Sequence, residues 1–402
     1  MKKVLIVAAK RSAIGKFMGS LSTLSPGELG GKVIDSIIRE SGVEPNNIDR
    51  VIVGNILSAG QGQGIARQCS LGANIPVEVP AYSLNMVCGS GMKSVINGVM
   101  EIALGFSQIV IAGGTEVMSG AGFVAPGTIR GGVKMGNIKL LDHMVVDGLT
   151  DVFNNYHMGV TAENIAKEYS ITREEQDSFA LESQKKAIAS VDGGLFDKEI
   201  VPIEIANRRE TIVVNRDEYP NRTTSAEKLA KLPPAFLPNG TVTAGNASGI
   251  NDGASFVMLA SQEACEKYGL KPLAEIVSFG EGGVDPKIMG MGPIPAIREA
   301  LKRGALKLEE IELLELNEAF AAQSLGVMKE LIGEHSLSTK FFDERCNING
   351  GAIALGHPIG ASGNRILVTL LHSLEREQKS LGLASLCIGG GMGSAMVIKR
   401  VD

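Results

Sequence analysis

The sequence lacks the charge excess and the long apolar runs that mark several large protein classes. Its 39 lysines and arginines are scattered among 44 acidic residues, giving a net charge of −5 and no basic patch for nucleic acid. The apolar run at the start is too short for a signal peptide and is closed by Lys10 and Arg11, so it predicts a first strand. We therefore expect a globular, cytoplasmic protein with no nucleic-acid or membrane partner.

Cysteine is scarce and unpatterned. The five cysteines stand at positions 69, 88, 265, 346 and 387, with no CxxC spacing. An odd number argues against a disulfide framework, and the spacing argues against a zinc site. Phosphate motifs are missing as well: Ile14-Gly15-Lys16 lacks the first glycine of a P-loop, and 389–393 does not match the dinucleotide fingerprint. We predict a reducing compartment, no metal and no permanently bound cofactor.

Glycine, by contrast, is abundant. Fifty of 402 residues are glycine, well above the usual share of about 7%. They gather around Cys88, at Gly113-Gly114, and through 349–363 and 389–393. No collagen period or linker composition accounts for them, so they indicate backbone turned tightly around ligands.

Strands and helices alternate in the first and last thirds of the chain. Ser25-Pro26-Gly27-Glu28 is a capping box that begins a helix ending near Gly42, and Thr172 to Glu175 is another. The helix after Cys88 is apolar on more than one face as far as Leu104, so we predict that it is buried. Further strands are predicted at 3–9, 51–53, 108–114, 311–316, 383–388 and 395–398, and further helices at 319–331 and directly after the turn 349–363.

The two outer thirds share one plan, in which a glycine-rich turn with a reactive residue precedes a buried helix, a hydrophobic strand and further glycines. This predicts an α/β protein with two similar halves, related by a pseudo-twofold axis that brings Cys88 and His357 together. The predicted divisions are an N-terminal half at 1–120, completed by 249–271, a loop domain at 121–248, and a C-terminal half at 272–402.

Two cysteines have the setting of reactive thiols. A helix begins directly after Cys88, and a helix N-terminus favours thiolate, so we expect a pKa below the free value of about 8.5. Cys387 is also framed by glycine at the end of an element. The other three cysteines are predicted to be inert core residues.

One histidine stands out beside them. His357 lies between Gly356 and Pro358 in a turn before a helix, where a side chain is aimed rather than packed. Asn317 directly follows a strand, where a carboxamide either caps a helix or orients a water or oxyanion. Two thiols and an imidazole are the parts of an acyl-transfer site.

At these residues the chain resembles the thiolase family, and its biosynthetic branch in particular. The matching motifs occur in the family's order along nearly the whole chain: Val87-Cys88-Gly89-Ser90-Gly91, His157-Met158-Gly159, Thr243 to Ser248, Asn317-Glu318-Ala319-Phe320, Gly350 to Gly363, and Cys387 to Gly393. The resemblance implies the thiolase fold, with two βαβαβαββ halves and an inserted loop domain, assembled as a homotetramer.

The resemblance also implies roles and substrates. Cys88 would take the acetyl group from acetyl-CoA with activation by His357, and Cys387 would remove an α-proton from a second acetyl-CoA. Asn317, through a water, and His357 would stabilise the enolate, while the N–H groups of Cys88 and Gly389 would form an oxyanion hole. The implied reaction is reversible ping-pong condensation to acetoacetyl-CoA plus CoA, with coenzyme A thioesters as substrates.

By the same resemblance, Ser248, His157 and Met158 meet the pantetheine arm, and His157-Met158 suggests a small acyl pocket. The chain departs from the family where relatives place an arginine near the adenine, since it has Pro220-Asn221-Arg222. Either Arg222 takes over that contact, or the contact with the adenine is weaker in this chain. The segment 121–150, with basic residues Arg130, Lys134 and Lys139, resembles the tetramerisation loop.

Three questions stay open at this level. A ketoacyl synthase shares the fold and the first cysteine but has no second active cysteine, so Cys387 discriminates against it. A carrier protein that lost catalysis is the non-enzymatic alternative. Two activated thiols at one site also suggest that oxidation could join Cys88 to Cys387 reversibly.

Overall fold

The computed structural model of the chain describes residues 3–206 and 210–401. The strands are β1 (Val4–Ser12), β2 (Gly15–Lys16), β3 (Arg50–Gly54), β4 (Ala81–Leu84), β5 (Ile109–Val117), β6 (Phe123–Val124), β7 (Leu141–Asp142), β8 (Thr150–Asp151), β9 (Tyr156–His157), β10 (Ile200–Val201), β11 (Ile203–Ala206), β12 (Thr211–Val214), β13 (Asn251–Ser261), β14 (Ala274–Gly283), β15 (Leu313–Leu316), β16 (Leu381–Ile388) and β17 (Met392–Arg400). The α-helices are α1 (Pro26–Ser41), α2 (Ile65–Gly72), α3 (Ser90–Ala103), α4 (Met158–Glu168), α5 (Arg173–Asp192), α6 (Ala226–Ala230), α7 (Gln262–Tyr268), α8 (Pro293–Gly304), α9 (Ala321–His335), α10 (Thr339–Arg345), α11 (Ala352–Leu355) and α12 (Ile359–Arg376).

The predicted elements are present with small shifts at their ends. Both capping boxes form, at Ser25 and at Thr172, and Gly42 ends α1 in the left-handed conformation. The predicted burial of α3 holds for most of the helix, since buried residues occur on each of its turns from Ser90 to Ile102. Met100 is 38% exposed, and Leu104, the C-cap residue, is 73% exposed where the helix ends.

The large sheet repeats one pattern on its two sides. Its strand order is β15-β16-β17-β14-β1-β13-β5-β3-β4. On one side β3 runs parallel to β5, which pairs antiparallel with β13, which pairs antiparallel with β1. On the other side β15, β16, β17 and β14 repeat these directions in the same order. The two halves join where β1 and β14 pair antiparallel, with Leu5 opposite Glu275.

Helices α3 and α12 hold equivalent places in the two halves and pack against each other in a shared core. Glycine makes their approach possible. A Cβ on Gly91 would lie 2.9 Å from the backbone nitrogen of Asn364, and one on Gly363 would lie 2.6 Å from that of Met92. Any larger residue would force the helices apart. The N-termini of α3 and α12 therefore meet, which brings Cys88 and His357 to one place.

Between the halves, the chain from β6 to α6 forms short strands and the helices α4 and α5. Part of this segment leaves apolar side chains in solvent, including Phe123, Met135 and Leu140. Across 3–206 and 210–401, no helix combines the length and apolar character needed to cross a membrane.

Candidate active site

Cys88 lies in a tight turn directly before α3. Val87 has φ of +45°, a strained conformation for a β-branched residue. The Ser90 hydroxyl stabilises the turn, since it donates to the Val87 carbonyl at 2.7 Å and accepts from the Met86 N–H at 2.8 Å. The turn fixes the thiol at the beginning of the helix, as the sequence predicted.

The predicted direction of the Cys88 pKa shift was wrong. Burial raises the pKa of Cys88 to about 11, although the backbone N–H groups of Gly389 and Cys88 act in the opposite direction. Desolvation of the charged form outweighs the donors around the sulfur, because the N-terminus of α3 is itself covered by α12. Cys88 is therefore a thiol at neutral pH and needs a base to remove its proton.

His357 supplies an imidazole that can act as this base. It directly precedes Pro358, the N-cap of α12, and it is 6% exposed. Burial, followed by the positive charge of Arg365, lowers the pKa of His357 to about 4. Within the part of the chain that the structure describes, Nε2 of His357 has no hydrogen-bond partner. The ring is neutral at pH 7.

Cys387 stands near the end of β16 and is 1% exposed. Burial raises its pKa, and a negative charge on Cys88 raises it further. The two sulfurs are thus electrostatically coupled. Gly389, two residues on, lies beside Met158, whose methyl carbon would be 2.9 Å from a Cβ at that position.

Asn317 follows β15, and its N–H donates to the Ser385 carbonyl at 3.0 Å. It does not cap the next helix, because the N-cap of α9 is Phe320. Its side chain is buried, and both amide atoms lack a partner among the residues described. A buried carboxamide with neither atom satisfied is suited to hold a water or a ligand.

A cavity of about 440 Å³ brings most of the predicted site together. Its wall includes seven of the nine predicted residues: Cys88, His157, Met158, Ser248, His357, Cys387 and Gly389. Asn317 is not part of this wall but lies two positions before Ala319, which is. Arg222 lies elsewhere.

The rest of the cavity wall is mainly apolar. The large side chains there that lie outside the motifs found in the sequence are Phe17, Met118, Leu149, Tyr219, Phe236, Ile250 and Met289. The available signal was an aromatic residue in an otherwise polar, proline-rich segment, as at Phe236 after Pro233-Pro234.

The predicted pantetheine contacts sit at one side of the cavity. Nδ1 of His157 accepts from the Gly159 N–H at 3.0 Å, so the neutral ring carries its hydrogen on Nε2. The ring stacks on Phe236 with centroids 4.6 Å apart. Burial lowers the pKa of His157. The Ser248 N–H donates to the Ala319 carbonyl at 3.0 Å, which fixes the backbone that carries its hydroxyl.

Arg222 is exposed and pairs with Asp192 at 2.6 Å. It lines a second groove of about 700 Å³ together with Lys16 and Lys228. Tyr219 and Ala244 line both this groove and the cavity, so the two lie side by side.

Glu116 is a buried residue that the sequence did not reveal. Its carboxylate accepts from the N–H groups of Ile56 and Leu57 at 3.0 and 3.1 Å, from the Asn55 amide at 2.9 Å, and from the Gly360 N–H in the first turn of α12. Burial raises the pKa of Glu116 to about 7. The carboxyl group connects the loop after β3 with the helix that follows His357.

In the described residues, no three His, Cys, Asp or Glu side chains gather as a metal ion would require. A duplicated α/β sheet with two thiols and an imidazole on one cavity defines the class as enzymes that handle acyl groups through sulfur. Comparison with protein families gives the particular family. Residues 4–263 match the thiolase N-terminal domain and residues 270–400 the thiolase C-terminal domain.

The chain belongs to the thiolase family of acyltransferases, which confirms the resemblance found in the sequence. It is 51% identical to an acetyl-CoA acetyltransferase of Pseudomonas aeruginosa and 50% identical to one of Escherichia coli, over the full length of both chains in each case. A crystal structure of the Bacillus anthracis acetyl-CoA acetyltransferase matches with a TM-score of 0.95 at 44% identity, covering 100% of this chain and 99% of that one. The human mitochondrial 3-ketoacyl-CoA thiolase matches at 0.94 and 42%, with the same coverage. The predicted thiolase fold is confirmed.

Proposed function

We propose that the chain is an acetyl-CoA C-acetyltransferase, which condenses two acetyl-CoA reversibly to acetoacetyl-CoA and CoA. The convergence of Cys88, His357 and Cys387 on one cavity carries the proposal. The names of full-length relatives at 50 to 51% identity support the acetyl substrate. A ketoacyl synthase is disfavoured because a second cysteine occupies the cavity.

In the first half-reaction Cys88 attacks the acetyl carbonyl. Its proton moves to Nε2 of His357, the buried nitrogen that no described residue hydrogen-bonds. The backbone N–H groups of Gly389 and Cys88, which lie against the sulfur, donate to the carbonyl oxygen as it becomes negative. The leaving CoA sulfur takes the proton of Cys387, so that acetyl-Cys88, a Cys387 thiolate and an imidazolium remain.

In the second half-reaction the Cys387 thiolate removes an α-proton from a second acetyl-CoA. Acetylation of Cys88 makes this easier, because an acylated sulfur cannot carry the charge that raises the pKa of Cys387. The enolate carbon attacks acetyl-Cys88. Cys88 leaves and recovers its proton from His357, so the enzyme returns to its starting protonation state.

Asn317 and His357 stabilise the enolate oxygen in this proposal. Both amide atoms of Asn317 are buried without partners in the described structure, and in this proposal they hold a water that donates to the enolate oxygen. The imidazolium formed in the first half-reaction supplies the second donor.

The nucleotide end of CoA is proposed to occupy the groove next to the cavity. Lys16, Arg222 and Lys228 line it, and their charges suit phosphate groups. The ion pair between Arg222 and Asp192 must open or reorient for Arg222 to contact the ligand. Ser248, His157 and Met158 are proposed to hold the pantetheine arm and thioester. CoA thioesters enter and leave as substrates and products in this proposal, which uses no permanently bound cofactor.

We also propose that the chain works in the cytoplasm as a homotetramer. All five cysteines are free, which suits a reducing compartment. Exposed apolar residues in 121–150, namely Phe123, Met135, Ile138 and Leu140, form the surface expected of an assembly contact. Light scattering on purified protein measures the assembly; a monomer would contradict this part of the proposal.

The activity is tested by CoA-dependent cleavage of acetoacetyl-CoA and by condensation of acetyl-CoA. Radiolabelled acetyl-CoA should still label Cys88 in the Cys387→Ala variant, but more slowly, because the CoA sulfur then leaves as a thiolate without a proton from Cys387. This variant should fail to condense. Cys88→Ala should do neither. Cys265→Ala, which changes a buried cysteine in α7, is the matched control and should retain both steps.

Absence of both cleavage and condensation in wild-type protein would contradict the assignment. Rates on 3-ketohexanoyl-CoA and longer substrates then define the acyl preference. Met158 lies in the cavity wall against Gly389, next to the Cys88 sulfur, and its bulk there predicts a preference for acetoacetyl-CoA over longer substrates.

A further inference from the structure

The Ser362 hydroxyl lies between the His357 ring and a helix carbonyl. Nδ1 of His357 is 2.6 Å from Oγ of Ser362, and the same Oγ donates to the Pro358 carbonyl at 2.9 Å. Ser362 is 1% exposed and stands in the first turn of α12. Bulk water therefore does not compete for either contact.

A serine hydroxyl has one hydrogen and two lone pairs. If the hydrogen points to the Pro358 carbonyl, Oγ must accept from Nδ1–H. The reverse order would place two oxygens 2.9 Å apart with no hydrogen between them. It would also move the imidazole hydrogen to Nε2, where the described residues offer no acceptor.

The geometry points to Ser362 as the positioning residue that sets the tautomer of His357: we infer that Ser362 keeps the hydrogen on Nδ1 and thereby leaves the lone pair of Nε2 directed at the catalytic cavity. This inference rests on the proposed role of His357 as the base for Cys88. Ser362 touches no substrate and acts only through the ring.

The arrangement also suits the protonated ring. When Nε2 takes the Cys88 proton, Nδ1–H stays in place and Ser362 continues to accept from it. No hydroxyl rotation or side-chain movement is needed between the two states, so the hydrogen-bond chain is organised for both. A ring with the other tautomer would have to lose a hydrogen from Nε2 before it could act.

Neutron diffraction on deuterated wild-type crystals tests the inference without any substitution. We expect deuterium on Nδ1 of His357, deuterium of Ser362 directed at the Pro358 carbonyl, and none on Nε2. Deuterium on Nε2 with a bare Nδ1 would overturn the inference. The neutron result does not depend on turnover. An inactive protein would contradict the proposed function, whereas the position of the deuterium would still decide whether Ser362 sets the tautomer of His357.

Kinetics provide a second test. Ser362→Ala should lower kcat for acetoacetyl-CoA cleavage about 10- to 100-fold, within the contribution typical of a general base, and change KM less than about twofold. Ser362→Thr keeps the hydroxyl and should recover most of the loss. Ser278→Ala removes another buried hydroxyl that donates to a helix carbonyl, that of Ala300 at 2.8 Å, and should leave kcat unchanged.

Equal kcat in wild type and a folded Ser362→Ala variant would overturn the positioning role. So would equal losses in the alanine and threonine variants with both folded, because the hydroxyl would then be irrelevant. If Ser362→Ala does not fold, the neutron measurement and the threonine variant decide.

Discussion

The backbone N–H of His357 donates to the side-chain oxygen of Asn251 at 3.0 Å, across 106 positions of sequence. The amide nitrogen of Asn251 donates in turn to the Gly15 carbonyl at 3.0 Å. Gly356 closes over this side chain with φ of +105°, and a Cβ there would lie 2.4 Å from Cγ of Asn251. The turn that carries the imidazole is thus positioned from β13, in the opposite half of the molecule.

Asn251→Ala should therefore impair catalysis as well as folding. It leaves the His357 N–H and the Gly15 carbonyl without a partner, at a cost of about 1–3 kcal/mol for a buried polar group. We expect kcat for acetoacetyl-CoA cleavage to fall roughly tenfold, as the imidazole loses its fixed distance from Cys88.

The control is Asn349→Ala, a buried asparagine whose amide donates to Ser373 at 2.8 Å in the later turns of α12. It should lower the melting temperature similarly without lowering kcat of the folded enzyme. Equal kcat for Asn251→Ala and wild type would contradict a positioning role for Asn251.

The sequence predicted those site residues that have a local signature. Glycine frames Cys88, His357 and Cys387 within a few positions, and the strand and helix periods around them are local too. Asn251 and Glu116 have no such signature, because their partners come from distant parts of the chain. Ser362 lies within the glycine-rich turn, but its contact with the His357 ring follows from how the backbone of that turn folds, which its sequence does not specify. The prediction of a lowered pKa for Cys88 was wrong for a similar reason. The helix N-terminus can be recognised in the sequence, whereas its burial under α12 is a tertiary effect.

The raised pKa of Cys88 gives a prediction for alkylation. Below the pKa the thiolate fraction grows about tenfold per pH unit. With a pKa of about 11, inactivation by iodoacetamide should accelerate continuously from pH 7 to pH 9 without a plateau. A rate that levels off below pH 8 would show instead that the donors around the sulfur outweigh burial. Mass spectrometry of the alkylated peptide, with Cys88→Ala as control, assigns the reaction to this thiol.

Oxidation should join the two thiols of the cavity. Cys88 and Cys387 are both free, line the same cavity and interact electrostatically. A mild peroxide would take two electrons and two protons from the pair and form a disulfide and water. Activity should be lost and then restored by dithiothreitol.

Non-reducing peptide mapping should find the bridge between residues 88 and 387. Cys69 serves as an internal control, since it is buried in the core and is not among the residues that line the cavity, so it should stay reduced. Activity that survives peroxide, or that dithiothreitol does not restore, would count against the disulfide.

Gly114 is predicted to tolerate no side chain. It lies on β5, and a Cβ there would be 1.9 Å from the Gly360 carbonyl oxygen in the first turn of α12. Since this atom belongs to the backbone, the helix itself would have to move. Gly114→Ala should lower stability by about 3 kcal/mol or more, at the upper end of overpacking effects.

Thermal unfolding of soluble protein measures the effect, and residual kcat reports the shift of α12. Gly122→Ala is the matched control, because no atom of residues 3–206 or 210–401 lies within 4 Å of a Cβ at that glycine. A Gly114→Ala variant with wild-type melting temperature would contradict the close approach of β5 and α12.

Glu116 should make stability depend on pH in the direction opposite to most carboxyl groups. Its pKa is raised from 4.5 to about 7 in the folded protein by burial, so the folded state binds its proton more tightly than the unfolded state. The contribution of Glu116 to the free energy of unfolding is complete below pH 4.5 and is lost as the pH rises through about 7. Above that pH the buried carboxyl is ionised in the folded protein as well, and its surroundings do not fully compensate its charge.

Glu116→Gln removes this titration. Between pH 5 and pH 8 the wild type should lose about 2–3 kcal/mol of unfolding free energy relative to the variant. Urea unfolding at the two pH values measures the difference, and Glu44→Gln, which removes an exposed carboxyl, controls for the loss of a charge. Glu116→Gln should be less stable than wild type at pH 5, since its amide cannot accept from the N–H groups of Ile56, Leu57 and Gly360 together. Parallel pH curves for Glu116→Gln and wild type would mean that Glu116 stays ionised in the folded protein, held by those three donors.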